Sequence, residues 1–265
     1  MSILSTLGNF FGGLIFTLSL GALIFVLALA KFTEYGTLQP LIADTLAAEL
    51  GKGIDPSEST AQLTALKANC TENRQNIEID LGKLIGTIQL KCSEIMTAKG
   101  EDIPKLLANS IFDKIYYKEY SCNFLQCLRT LQGEERFSVI TTSVANKFFS
   151  TVIIPLAVAV VIGLALIAVS VRTWHGIMKS VGISCIFVGI PYFLFPIVEG
   201  IIKGFVPSEQ SSILQPIVAT VIEPMRMNFL IVLIAGVALT VTGYAGVYLA
   251  KRSQHKPKQN QEKKR

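Results

Sequence analysis

Histidine is almost missing from this chain. Its 265 residues contain two, His175 and His255, so the long stretch 32–147 lacks the commonest general base and metal ligand. Charge is scarce as well: Asp, Glu, Lys and Arg make up 16% of the residues, against about 25% in an ordinary soluble domain. That argues against a purely soluble protein. Walker, Rossmann and H-E-x-x-H patterns are absent, as are G-x-S-x-G and paired-carboxylate signatures. Without a C-x-x-C pair there is no thiol-disulfide redox motif. These absences point away from an enzyme, and no catalytic residue, metal or cofactor is expected.

Apolar runs dominate instead, with 51% hydrophobic residues and a mean hydropathy of +0.50. A spanning helix needs about 20 apolar residues to cross roughly 30 Å of hydrocarbon. Gly8–Ala30, Phe148–Val171 and Met227–Ala250 contain no charged side chain, and Ser180–Ile202 contains only Glu199. Four transmembrane helices are therefore expected. Ala28-Leu29-Ala30 resembles a signal-peptide cleavage site. However, Met1–Phe10 has no Lys or Arg and the run exceeds an ordinary signal core, so the first helix is expected to be retained.

Orientation follows from Lys and Arg near the helix ends. The turn 172–179 and the tail 251–265 together hold nine bases and one acid, whereas 31–147 holds 13 bases and 15 acids. The chain thus divides into 1–31 (N-terminus and first transmembrane helix), an extracytoplasmic domain 32–147, the second helix 148–171, a cytoplasmic turn 172–179, the third helix 180–202, an extracytoplasmic loop 203–226, the fourth helix 227–250 and a basic cytoplasmic tail 251–265. Both termini are expected in the cytoplasm. The tail, rich in Lys and Gln without apolar periodicity, should be disordered. Lys251, Arg252, Lys256 and Lys258 would meet anionic inner-leaflet lipids. Nucleic acid is not an expected partner.

The fold class predicted is all-α: a polytopic membrane protein carrying a disulfide-stabilised helical domain between its first and second helices. Ile77, Leu81, Leu84, Ile85, Ile88, Cys92 and Ile95 read as one helical stripe. Asp55 with Pro56 and Glu58 reads as a helix start, and Leu63, Leu66 and Cys70 continue that helix. Ile103, Leu106, Leu107 and Ile111 mark another, Leu125, Leu128 and Leu131 a short one, and Phe137 should run unbroken into the second span. Four cysteines in this segment, Cys70, Cys92, Cys122 and Cys127, argue for two disulfides. Three connectivities are open, and bonds tying the Cys70 and Cys92 helices to 120–131 are favoured. Asn69-Cys70-Thr71 is an N-glycosylation sequon. Cys185, inside the third span, is expected to pack.

Two features bear on transport. Pro191 and Pro196, flanked by Gly189 and Gly200, interrupt the third helix beside Glu199; broken helices near a carboxylate form ion and substrate sites. Glu199 lies only about 4.5 Å from the helix end, so an anchor in the outer headgroups is its expected role. Ser212–Glu223 reads as an amphipathic helix on the outer leaflet or docked beneath the outer domain, with a re-entrant pore helix as the alternative. Small residues at packing spacing occur at Gly8 and Gly12, at Gly236, Thr240 and Gly243, and at Thr242, Gly246 and Ala250. These serve internal packing or a homo-oligomer.

The layout departs from tetraspanins, whose large loop falls between the third and fourth helices with a Cys-Cys-Gly motif. It also departs from claudin-like proteins, whose large loop carries a tryptophan signature; Trp174 here follows the second helix. No family is assigned from the sequence. The function expected is that of a non-catalytic plasma-membrane protein, embedded in the lipid bilayer, whose ectodomain 36–147 binds a protein partner, mediates adhesion or assembles a membrane complex. The competing class is a channel or transporter subunit built on the kinked third helix and the 208–226 loop.

Overall fold

In a computed structural model, residues 3–52, 56–70, 75–80, 86–132, 138–171, 173–205, 220 and 222–254 are described. The described chain is mostly helical. In order it forms α1 (Ile3–Phe32), α2 (Tyr35–Lys52), α3 (Pro56–Cys70), β1 (Asn76–Asp80), β2 (Thr87–Lys91), α4 (Cys92–Thr97), α5 (Ile103–Tyr116), α6 (Phe124–Thr130), α7 (Ser143–Val171), α8 (Trp174–Gly189), α9 (Pro191–Phe205) and α10 (Glu223–Gln254). It divides into two compact units, one of residues 1–28 and 150–265, the other of 29–149.

The first unit holds the apolar helices. Four stretches are long and apolar enough to cross a membrane: Thr6–Phe32, Ser143–Val171, Trp174–Ile197 and Glu223–Ala250. They leave large side chains such as Ile154, Val169, Ile231 and Val241 exposed, as helices solvated by hydrocarbon do. The third stretch begins earlier than the expected Ser180. Thr173 is extended and α8 starts at Trp174, which places His175 and Lys179 on the helix and not in a turn. An isolated charge near a helix end is tolerated because its long stem reaches back to the interface.

Two close approaches organise this unit. A Cβ on Gly182 of α8 would lie 2.5 Å from the Thr240 backbone nitrogen and 2.8 Å from the Gly236 carbonyl oxygen of α10. A Cβ on Gly163 of α7 would lie 2.7 Å from the Phe16 nitrogen of α1. Only glycine permits such proximity, and between apolar helices the resulting van der Waals contact is what holds them together. The Thr240 hydroxyl bends back to donate to the Gly236 carbonyl at 2.7 Å, so it presents no unpaired polar group. Phe16, Ile167 and the free thiol Cys185 are buried together in the resulting core. The Ser180 hydroxyl donates to the Asn9 side-chain carbonyl at 2.7 Å, adding a polar tie between α8 and α1.

Among the described residues, the second unit departs from the all-helical expectation in one place. Residues 76–80 and 87–91 form an antiparallel hairpin that pairs Ile77 with Leu90 and Ile79 with Ile88. Asn-Ile-Glu-Ile-Asp and Thr-Ile-Gln-Leu-Lys each alternate with period two, but each is only five residues long. The helical stripe drawn through Ile77, Ile88, Cys92 and Ile95 joined residues that do share a core, though from two strands and a short helix. Leu81, Leu84 and Ile85 lie outside the described residues. Gly86, just before β2, has a φ of 69°, which suits glycine.

Other local readings shift by small amounts. In α6 the inward face carries Phe124 and Cys127 while Leu125 is exposed, because the Asn123 capping box with Gln126 sets the helix phase. Helix α7 begins at Ser143, after a 3-10 turn over Val139–Thr141 and an extended Thr142; Phe137 lies outside the described residues. The same holds for Asp55 and for most of the expected 212–223 helix.

The glycine contacts predict a contrast. Gly182→Ala should destabilise the helical unit by about 1–3 kcal/mol, the range for overpacking. Gly21→Ala, which meets nothing within 4 Å, should be neutral or gain up to about 1 kcal/mol from helix propensity. Denaturation of both variants in mixed micelles measures the difference, and equal effects would contradict the packing described.

Candidate functional site

The unit 29–149 carries the features that set this chain apart from a plain helical bundle. Its core gathers Leu63, Ile88, Leu90, Ile95 and Ile103 around the Cys70–Cys92 disulfide. That bond joins the last residue of α3 to the first of α4, with a Cα–Cα distance of 5.5 Å, and so brackets the hairpin. Beside it the Cys92 amide donates to the Gln75 carbonyl at 3.0 Å. An isolated two-stranded hairpin is marginal in water; closing this loop of 22 residues removes about 3 kcal/mol of unfolded-chain entropy. The second bond, Cys122–Cys127, closes a loop of five, worth nearer 2 kcal/mol on the same reasoning. Both pairings differ from the bonds favoured from sequence. The Tyr120–Leu131 segment is fastened to itself and not to α3 or α4.

A second core joins α2 to α5. Leu38, Phe112 and Tyr116 are buried with Phe32, Tyr35 and Ile42 packed on them. Tyr35 lies 5.2 Å from the ring of Tyr116 and 5.7 Å from that of Tyr117. Its hydroxyl donates to the Asp113 carboxylate. Burial, then that hydrogen bond, then the Asp113 charge raise the Tyr35 phenol well above its ordinary value. Burial raises Tyr116 in the same direction, and its hydroxyl donates to the Thr33 carbonyl at 3.0 Å. Asn146 completes this junction by donating to the Ala30 carbonyl at 2.9 Å and to the Thr33 hydroxyl at 3.3 Å.

Two lysines of this unit tie backbone segments together. Lys114 donates to the Thr87 carbonyl at 2.6 Å beside the Gly86 turn, and Lys67 to the Ala98 carbonyl at 2.8 Å. Among the described residues no three His, Cys, Asp or Glu side chains converge as they would around a metal ion. What the unit offers outward is surface. Met96, Ile115, Tyr117 and Leu125 are exposed, and the outer face of the hairpin is polar, with Gln89 donating to Glu78 across the strands.

The remaining sequence candidates fall as follows. Asn69 is exposed on the last turn of α3, next to the bonded Cys70; Thr71 lies outside the described residues. Gly8 and Gly12 face Ser170 and Ile167 of α7, while Gly236 and Gly243 face Ile186 and Lys179 of α8. These rows are therefore filled from within the chain. In the third apolar stretch α8 ends at Gly189 and α9 begins at Pro191, with Ile190 between them still in helical conformation and Pro196 inside α9. Glu199 belongs to the backbone of α9, and its side chain is outside the described set, as are Lys256 and Lys258 and the side chain of Lys251; Arg252 is exposed. Missed entirely was Arg226, whose guanidinium stands 5.0 Å over the Tyr192 ring and reaches its hydroxyl at 3.4 Å. The signal available was a lone base at the edge of an apolar run. Tyr35 and Asp113, 78 residues apart, had no such local signal.

No family of known proteins matches the chain, and neither a curated protein nor a solved structure matches it.

The Tyr35 contact has a pH signature. A raised folded value means the stabilisation is complete below the ordinary phenol value of 10.0 and is lost as pH climbs above it. Tyr35→Phe should cost about 1–3 kcal/mol at neutral pH and make the alkaline fall in Tm shallower. An alkaline profile as steep in the variant as in the parent would show that Tyr35 contributes nothing to it.

Proposed function

We propose that this chain is a non-catalytic multi-pass protein of the plasma membrane that displays the unit 29–149 outside the cell, where it binds a protein partner or assembles a surface complex. The observation that carries the reading is that all four cysteines of this unit close on one another as two disulfides, which persist in oxidising surroundings. The charge balance supports the same sidedness. Bases dominate the 172–179 and 251–265 segments but are outnumbered between the first two apolar helices. Both termini are then cytoplasmic, with the basic tail against anionic lipids. The exposed Tyr117, Leu125 and Met96 are the side chains offered to a partner, since aromatic residues and methionine are enriched where proteins meet.

Thiol labelling of intact cells with a membrane-impermeant reagent, before and after reduction, followed by non-reducing peptide mapping, tests this reading. The expected result is Cys70–Cys92 and Cys122–Cys127 peptides, with four thiols labelled only after reduction. Four free thiols, or labelling only after the membrane is breached, would overturn the outward placement.

One observation favours a second reading, a channel or transporter subunit: Pro191 and Pro196 each remove a backbone hydrogen bond from the third apolar stretch, and helices weakened in this way line ion and substrate sites. Under it, Glu199→Gln abolishes or alters flux in reconstituted vesicles. Under the binding reading it leaves partner capture unchanged.

A further inference from the structure

The two outer edges of the hairpin are in different states. Its register pairs Asn76 with Lys91, Ile77 with Leu90, Glu78 with Gln89, Ile79 with Ile88 and Asp80 with Thr87. One step before Asn76, the Cys92 amide donates to the Gln75 carbonyl across the strands, so that pair is hydrogen-bonded. In an antiparallel ladder bonded and non-bonded pairs alternate. Ile77–Leu90 and Ile79–Ile88 are therefore bonded pairs as well, and the backbone amides and carbonyls of Asn76, Glu78 and Asp80 point away from β2. The same alternation turns the Thr87 carbonyl outward on the far side of β2. There the Lys114 ammonium of α5 donates to it at 2.6 Å.

Strand β2 is thus covered by α5, and β1 is the open strand. Ile88 is 1% exposed, whereas its partner Ile79 is only half-buried. Among the described residues no helix or loop bonds to the backbone of Asn76 or Glu78, and both side chains are exposed. An edge whose donors and acceptors stand in water is a template for a further strand, and extended peptides bind to such edges by joining the sheet.

The chemistry along the edge selects its occupant. Side chains of an added strand fall alternately on the two faces of the sheet. On the solvent face they would lie beside Glu78 and Asp80; the one base on that face of the hairpin, Lys91, is paired with Glu94 at 3.4 Å. On the core face they would extend the row of Ile77 and Ile79, where Ile79 still has apolar surface to cover. Basic residues alternating with apolar ones satisfy both faces. A second copy of this chain does not. Antiparallel pairing about Glu78 would set two Glu78 carboxylates opposite each other, and like charges so placed are destabilising.

We propose that the free edge of β1, Asn76–Asp80, takes up an extended segment of a protein partner, basic on one face and apolar on the other, as a third strand of the sheet. This deepens the binding reading above by naming the partner's chemistry, and it rests on that reading. The acidic side chains act twice. They keep copies of this chain apart, and they select a strand of the opposite charge.

The probe is a short end-capped peptide of alternating lysine and valine, added to the full chain in zwitterionic micelles. Binding is read by fluorescence anisotropy and by hydrogen exchange at the Asn76 and Glu78 amides. The expected result is saturable binding that slows exchange at both amides by about tenfold, as newly made backbone bonds do. Methylating the peptide's backbone nitrogens should abolish binding, because the ladder loses donors while the charge is unchanged. Glu78→Gln should weaken it about two- to fivefold, the weight of one cross-strand charge pair. Glu78→Pro, which removes an outward amide and none of the hairpin's own bonds, should weaken it about tenfold or more; a Cys70–Cys92 peptide in a non-reducing map shows that this variant keeps its hairpin closed. Absence of binding overturns the proposal. Equal binding of the methylated peptide, or of one with its lysines in a block, overturns it too, since charge attraction alone would then account for the effect. Protection of the same amides that rises with protein concentration alone makes the occupant a second copy and also overturns it. Because the peptide meets purified chain from either side, these results do not depend on topology. A failure here sinks the inference alone, whereas thiols labelled only after the membrane is breached sink the outward placement whether or not the peptide binds.

Discussion

Between Gly182 and Gly236 the backbones of α8 and α10 come so near that no side-chain carbon fits, and the first unit is arranged around that fact. Helices surrounded by hydrocarbon gain little from hiding apolar side chains from one another, because the surroundings are equally apolar. Dispersion at short range is what remains, and it falls away steeply with distance. Glycine is thus more than permissive here, since removing its side chain creates the contact surface. The pairing of α1 with α7 through Gly163 and Phe16 repeats the solution. Once those two pairs are fixed, Ser180 reaches Asn9 and Cys185 is enclosed.

The unit 29–149 solves a different problem by different means. It is small, so one apolar core closes little surface. Covalent and buried polar ties make up the difference. The Cys70–Cys92 bond holds the base of a hairpin too short to persist alone, while Ile77, Ile88 and Leu90 seat it on α3 and α5. Tyr35, Tyr116 and Asn146 tie segments distant in sequence through buried or half-buried hydrogen bonds, which cost more to lose than exposed ones.

How much of this could be read from the residues differs by kind of signal. The four apolar helices were legible because each run of about twenty apolar residues repeats one instruction many times. The α3 and α5 faces were legible too: Leu63, Cys70, Ile103 and Ile111 are buried as their spacing required. The hairpin was misread because Ile77 and Ile88 fit a helical period as well as an alternating one, and five residues are too few to separate the two. The disulfide partners, the aromatic junction and the Arg226–Tyr192 contact depend on which distant segments meet, and no local period encodes that. The start of α8 was hidden by Lys179, a charge whose long stem lets it sit inside a helix without ending it.

Asn146 donates to the carbonyl of Ala30, so the path that leaves α1 comes back, more than a hundred residues later, to within a hydrogen bond of where it departed. A segment whose two ends coincide behaves as a cassette. It can be lengthened, exchanged or cut away for a short connector without asking α1 and α7 to move apart, because the spacing between those helices is already set by Gly163 against Phe16. Changes between Ala30 and Asn146 therefore leave the Gly163–Phe16 approach of α1 and α7 intact.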